Sequence, residues 1–447
     1  MIGQNEAQNL CQQILKRCGG SPAEVLLSIE DKALTRFANN TIHQNVAERN
    51  TSLTLRFLQG KQLGTAVTNR LDSDALDRLV ERARRNAQAS PENPDHPGFA
   101  GPAQYTPVKA FDQATADYSP EERAREVGIV CRLASEKNLN ASGAFSTGSG
   151  EIIVANTLGL FAYHASTEAD FQTVVMGEDA SGQSQSTAWQ AAGLPVERLG
   201  REAIQKAERG SSPRKIEPGP YTVIFDPYVT QDLLEMLDYS GMGAQAVLDG
   251  RSWMNDRMGQ KVMSPLVNIK DDGTDPAGIP VPFDNEGVPK QPVNIVREGV
   301  VGDPVYDRST AQKAGKTSTG HSVPAILRDF GPVATNLFMS PGDASLDDMI
   351  QSTKRGLYIT RFWYTRPVHP RDCVVTGMTR DGVFMIENGE IAYPVKNLRF
   401  TQSYVQALAE VESVGRETRL LSSDFGGLTQ SVPALKISRF NFTGSTV

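Results

Sequence analysis

The chain of 447 residues has only four cysteines, Cys11, Cys18, Cys131 and Cys373, with no Cys-x-x-Cys pair among them. That leaves neither a redox pair nor the disulfide ladder of a small secreted scaffold. No apolar run approaches the ~20 residues that a membrane span needs. The first twenty residues, with an acid and several glutamines, read as an amphipathic helix rather than a signal peptide. There is no basic block, and 52 acids against 45 bases leave a net charge of -7, so nucleic acid is not an expected partner. Walker, dinucleotide and Gly-x-Ser-x-Gly fingerprints do not occur in a strand-to-helix context. The expectation is a soluble, cytoplasmic chain with no membrane contact.

What is present suits two or three domains, and 39% hydrophobic residues allow sizeable cores. A first helix is expected over 7–17, stopped by Gly19-Gly20. Strands follow at 23–29 and 33–38, then a turn at Asn39-Asn40, a strand at 41–45 and a hairpin of 52–58 with 61–68 around Gln59-Gly60. Residues 72–89 carry Leu76, Leu79, Val80 and Ala83 at helix-face spacing. A proline-rich crossing covers 90–116, and Ser119-Pro120-Glu121-Glu122 opens a helix with capping-box spacing. Cys131 falls on that helix's apolar stripe, as a small core group rather than a reactive thiol. Strands at 141–146, 152–156, 160–166 and 171–177, a helix at 197–208 and a Gly/Pro-rich linker at 209–220 complete the N-terminal half.

The stretch that organises the rest is 226–274. A short apolar strand, 221–225, leads into a helix with Val229, Leu233, Leu234, Leu237 and Met242 on one face. Downstream stand Gly241, Ser252, Gly259-Gln260-Lys261-Val262-Met263-Ser264-Pro265 and Asp271-Asp272-Gly273-Thr274. Together these residues resemble the core of the TldD/PmbA (TldE) family, whose members work as zinc metalloprotease complexes. Further likeness lies in Phe283-Asp284-Asn285-Glu286-Gly287, in Tyr306-Asp307-Arg308 and in 382–391, so it covers nearly the whole chain. His321 stands where the family usually has asparagine, and it, His43, His96 and His164 read as ordinary histidines.

In the catalytic TldD type, His-Glu-x-x-x-His follows the Leu-Leu pair, and a C-terminal cysteine resembles a third zinc ligand. The ungapped register places Glu235 and Ser240 at the histidine positions, Met236 at the general base and Phe425 at the cysteine. Zinc needs three lone-pair ligands and a base beside its water, and a thioether is no base. The resemblance therefore implies a TldE/PmbA-type, non-catalytic subunit with no cofactor of its own. A TldD-type partner would hold the zinc in a heterodimer that takes unfolded or modified peptides, and a homodimer is open to the chain produced alone.

Two alternatives stay open, a self-associating peptide-binding protein and an enzyme with a remodelled site. The second would use His369, Asp372 and Cys373, or a metal held by Glu235 and Asp238. For peptide binding the candidate is an exposed sheet edge at 356–364, with Tyr358 and Arg361 as contacts, the competing reading being a buried structural strand. The expected fold class is α+β, with an N-terminal α+β domain at 1–210 and a β-dominated C-terminal domain at 220–447 whose strands pack against a helix over 231–246.

Overall fold

The computed structural model describes residues 1–324, 327, 330–423 and 428–445. The N-terminal half builds a six-stranded sheet in the order β3-β2-β1-β4-β5-β6. Its strands are β1 (Ala23–Ala38), β2 (Thr41–Gln59), β3 (Gln62–Thr68), β4 (Asn140–Asn156), β5 (Phe161–Met176) and β6 (Ser181–Ala188). Around it lie α1 (Gln4–Arg17), α2 (Ser73–Ala89), the short α3 (Gln113–Ala116), α4 (Pro120–Ser135) and α5 (Val196–Arg209).

The helix starts follow their caps. Asp72 accepts the Ala75 amide ahead of α2, and Ser119 and Glu122 form the reciprocal capping box of α4. The β1–β2 hairpin turns through Asn39 and Asn40, both at positive φ (50° and 59°), the conformation that a two-residue type I′ turn demands. The strands themselves are longer than expected. The breaks placed at 30–32, 46–51, 147–151 and 167–170 do not exist, because β1, β4 and β5 are paired on both sides along most of their length. Ladder bonds on both sides satisfy the backbone of Glu30, Asp31 and Lys32 there, and the Glu151 carboxylate accepts the Ile2 and Gly3 amides ahead of α1.

The C-terminal half adds β7 (Gly219–Phe225), α6 (Pro227–Gly241), α7 (Ala244–Leu248), β8 (Ile269–Asp271), β9 (Val293–Arg297) and β10 (Val300–Val301). It continues with α8 (Arg308–Ala314), β11 (Asn336–Met339), α9 (Leu346–Gln351), β12 (Arg355–His369), β13 (Val374–Glu387) and β14 (Glu390–Pro394). The last elements are β15 (Leu398–Ser403), α10 (Tyr404–Ala409), β16 (Val411–Ser422) and β17 (Thr429–Ser445).

Among the described residues these strands form one sheet, within which β17, β15, β13, β12 and β7 close into a ring. β7 seals it by pairing parallel to β12 and antiparallel to β17. Closure removes strand edges along the paired stretch. Phe225, Phe362, Phe400 and Phe440 meet inside it, with ring centroids 4.3 to 5.7 Å apart. The fold is the α+β arrangement expected; both halves are rich in strand, and the longer share of helix is N-terminal.

Candidate functional site

Helix α6 leaves β7 with Pro227 in its first turn, so its axis is set by the closed ring beneath it. Leu233, Leu234 and Leu237 are fully buried in the ring-side core. The helix ends sooner than the expected 246, at Gly241, whose φ of 142° is open to glycine alone. A Cβ there would lie 2.5 Å from Ser252 Oγ. That hydroxyl donates to the Gly241 carbonyl at 2.6 Å and accepts the Met254 amide, so both motif residues serve to stop the helix.

The three positions of interest on α6 do not converge. Glu235 is half-buried and faces Gln231, whose Nε2 donates to it at 3.4 Å and to the Ser422 carbonyl at 2.8 Å. Met236 (4% exposed) and Ser240 (0%) point into the core instead. There Cys373 Sγ approaches the Met236 carbonyl at 3.6 Å, with Ser240 beside it. Burial pushes the Cys373 thiol up to about 12, so it is a neutral group at physiological pH.

A thioether, a hydroxyl and a neutral thiol packed in an apolar core offer zinc no charged ligand and its water no base. These residues do not fit the metal that the resemblance implies. Among the described residues no group of three or more His, Cys, Asp or Glu side chains is placed to hold a metal ion. Phe425 lies outside the described residues.

The cluster at 369–373 is split by its own turn. His369 Nδ1 and Asp372 Oδ2 are 3.1 Å apart on the surface, and Asp372 also takes Arg257 at 2.7 Å, which holds its carboxyl below the usual range. Cys373 follows in the left-handed region (φ 43°) and turns fully inward, away from both. No imidazole–thiol pair forms.

The edge expected at 356–364 is corrected over its first half, while 361–363 pair with β13 alone among the described residues. Residues 356–359 of β12 are paired on both sides, to β7 and to β13, and Tyr358 is buried within the ring wall. Its hydroxyl donates to Asp226 Oδ2 at 2.7 Å. Arg361 bonds Asp381 at 2.8 Å and stacks on Trp363, while Ser181 Oγ of β6 donates to the same Asp381 at 2.6 Å. Both side chains therefore join parts of the chain to each other.

Tyr358 belongs to a buried charge network that the sequence reading missed. Asp226 pairs with Lys206 of α5 at 3.2 Å, Lys206 with Glu202 at 2.7 Å, and Glu202 with Arg419 of β16 at 2.8 Å. Tyr228 takes Arg419 on its hydroxyl and lies under the Lys206 ammonium. Burial opposes ionisation of Glu202, yet Lys206 and Arg419 hold its carboxyl down to about 2. Two acids and two bases from α5, the β7–α6 junction and β16 thus fix the start of α6 against the N-terminal half. The available signal was Lys206 at a core position of α5, between buried Ala203 and Ala207.

A second missed network supports the Asp271-Asp272-Gly273-Thr274 turn. His321 Nε2 lies 2.7 Å from Asp271 Oδ1, and the Asn336 amide donates to Asp271 Oδ2 at 2.7 Å. Burial opposes ionisation of Asp271, but Lys290 and His321 outweigh it and hold its carboxyl at about 2. Burial likewise lowers His321, which keeps it neutral as a donor to that carboxylate.

Comparison with known proteins agrees with this architecture along the chain. Residues 218–444 match the PmbA/TldA metallopeptidase C-terminal domain, 23–87 its domain 1 and 108–210 its central domain. A metalloprotease of Methanothermobacter thermautotrophicus is 26% identical over 312 residues, covering 68% of this chain and 67% of the relative. The metalloprotease PmbA of Escherichia coli O157:H7 is 23% identical over 393 residues, 84% of this chain and 83% of PmbA. The crystal structure of TldE from Thermococcus kodakarensis superposes with a TM-score of 0.89 at 19% identity, covering 98% of this chain and 99% of TldE. With three consecutive domains matched in order and the fold shared end to end, this chain belongs to the PmbA/TldD metallopeptidase family.

Proposed function

We propose that the chain is the non-catalytic, TldE/PmbA-type subunit of a cytoplasmic metalloprotease complex. In this reading a TldD-type partner holds the zinc and cleaves unfolded or modified peptides, while this chain closes and supports the chamber and carries no cofactor. The observation that carries it is the inner face of α6. The positions corresponding to base and second ligand, Met236 and Ser240, are core packing against Cys373. The lost chemistry has been replaced by burial, which a working site open to water and substrate would not tolerate. Four unpaired, buried cysteines suit a reducing compartment.

The test uses purified full-length chain, alone and with a His-Glu-x-x-x-His homologue. Alone it binds no stoichiometric zinc and gives no chelator-sensitive cleavage of an unfolded peptide. The mixture forms a defined heterocomplex whose cleavage exceeds that of the homologue alone. Turnover by the isolated, homogeneous chain would refute the reading, as would a homologue whose association and activity ignore this chain.

A further inference from the structure

The Asp271 network continues past His321 to a hydroxyl. His321 Nε2 carries its proton toward the Asp271 carboxylate, which leaves Nδ1 as the basic nitrogen, and Thr319 Oγ1 lies 2.9 Å from it. His321 and Asp271 are enclosed (1% and 0% exposed), whereas Thr319 is the half-buried end of the line. The Tyr306 amide donates to the same Oγ1 at 2.7 Å, and the Tyr306 carbonyl, at 3.1 Å, is the more distant of the two acceptors for its proton. Lys290, 4.0 Å from Asp271, favours a carboxylate at the far end. Thr319 also lines a surface cleft of about 660 Å³. Buried Val293 and Val301 supply apolar parts of its wall, and exposed Asn294, Arg297 and Asp303 supply polar ones.

We propose that Thr319 is an acyl-accepting nucleophile, with His321 as its general base and Asp271 as the group that orients the imidazole, and that the cleft takes small activated esters with a short apolar acyl chain. Thr319 Oγ1 attacks the ester carbonyl carbon while its proton passes to His321 Nδ1. The bond from that carbon to the leaving alcohol breaks, and the alcohol takes the proton from Nδ1. Water then attacks the acyl-threonine, giving its proton to Nδ1. The carbon–Oγ1 bond breaks, Oγ1 recovers the proton, and the carboxylic acid leaves. Asp271 stabilises the imidazolium formed in each half, and the Tyr306 amide stabilises negative charge as it develops on Oγ1.

Two features favour chemistry over a purely structural turn. An amide or a second hydroxyl would hold the turn as well, but only an imidazole supplies a base, and here both of its nitrogens are spent on one line from a carboxylate to a hydroxyl. That hydroxyl belongs to a residue lining a cleft of substrate size rather than to one sealed in the core. The substrate class stops at activated esters, because an amide's leaving group needs more assistance to depart. The site uses no residue of α6, so it stands apart from the proposed partnership with a TldD-type chain. A chelator separates the two activities: ester turnover persists in its presence, and peptide cleavage by the reconstituted pair does not.

The test treats the full-length chain with 4-nitrophenyl acetate in the presence of a chelator. Nitrophenolate should be released faster than by the unfolded chain, and tandem mass spectrometry should place an acetyl group on Thr319. Thr319→Ala should abolish both signals, and Thr319→Ser, which keeps a hydroxyl on the Tyr306 amide, should retain them. His321→Asn keeps a hydrogen-bonding side chain without a basic nitrogen and should slow acylation about 100-fold or more. Unchanged circular dichroism verifies the fold of each variant, and the acetyl map of the wild type needs no variant at all. A wild type that neither outpaces its unfolded chain nor carries acetyl on Thr319 would overturn the proposal. So would release that survives Thr319→Ala, or a folded His321→Asn that is acylated as fast as wild type.

Discussion

Acidification should destabilise the protein through His164, by an amount that the structure sets. This side chain sits on β5, opposite Ile152, 7% exposed and edge-on to Phe283. One ring nitrogen bonds the Pro280 carbonyl, whereas Nε2 is buried with no partner among the described residues. Burial disfavours the imidazolium and lowers the group from its usual 6.5 to about 4. A histidine lowered on folding contributes stability that is present above its unfolded value and is lost as the pH falls through 6.5 toward 4.

Integrating that linkage, the loss between pH 7 and pH 5 is about 2 kcal/mol, approaching roughly 3 kcal/mol at pH 4. For domains of this size 2 kcal/mol corresponds to roughly 4–8 °C in melting temperature. The assay is a thermal or urea melt at pH 7 and pH 5 for wild type and His164→Leu. Leucine loses the bond to Pro280, which lowers stability equally at both pH values, while the acid-dependent part shrinks by the stated amount. Other titrating groups, including buried His321, are common to both proteins and cancel in the difference. An acid slope identical in the two proteins would refute the argument, as would an imidazole titration midpoint above 6 by NMR.

Tyr358→Phe removes a bond to the Asp226 carboxylate and should cost about 1–2 kcal/mol of unfolding free energy, with peptide cleavage by the reconstituted pair unchanged. Loss of cleavage at unaltered stability would return Tyr358 to a substrate role. Gly241→Ala forces a Cβ to within 2.7 Å of three Ser252 atoms at a φ closed to other residues, and should lower stability by about 2–4 kcal/mol in a chemical melt. Restoring a metal site needs Glu235→His, Met236→Glu, Ser240→His and Phe425→Cys together. Burying a carboxylate at position 236 should cost about 3 kcal/mol or more, so zinc measured by elemental analysis should be weak and substoichiometric even there. Tight binding without loss of melting temperature would show that the α6 face is more adaptable than its packing.

Local signals made the helices legible. The capping residues Asp72 and Ser119 and the Asn39-Asn40 turn each act within a few residues, where the sequence suffices. Strand lengths were not legible, because Glu30-Asp31-Lys32 looks like a turn until neighbours on both sides are known to satisfy its backbone. β6, with the sequence SGQSQSTA, has no apolar alternation at all, and its Ser184 is buried by donating to the Leu199 carbonyl. At the site, alignment placed Glu235, Met236 and Ser240, yet the inward turn of Cys373 and the pairing of β12 on both sides are properties of the closed ring. The consecutive Leu357, Tyr358 and Ile359 did carry a usable hint, since hydrophobic residues in succession belong to strands buried on both faces rather than to edges.

The charge network joining α5, Asp226 and Arg419 bears on how the chain would behave if cut. The connector at 211–217 is solvent-exposed and offers a protease an accessible bond. The bonds from Lys206 to Asp226 and from Glu202 to Arg419 nevertheless cross from one side of that connector to the other. A nicked molecule should therefore run as two bands on a denaturing gel yet migrate as one particle in its native state, the halves held without a peptide link. Residues 1–210 expressed alone would expose Glu202 and Lys206 with half their counter-charges missing, so the two halves are interdependent even where the backbone between them is dispensable.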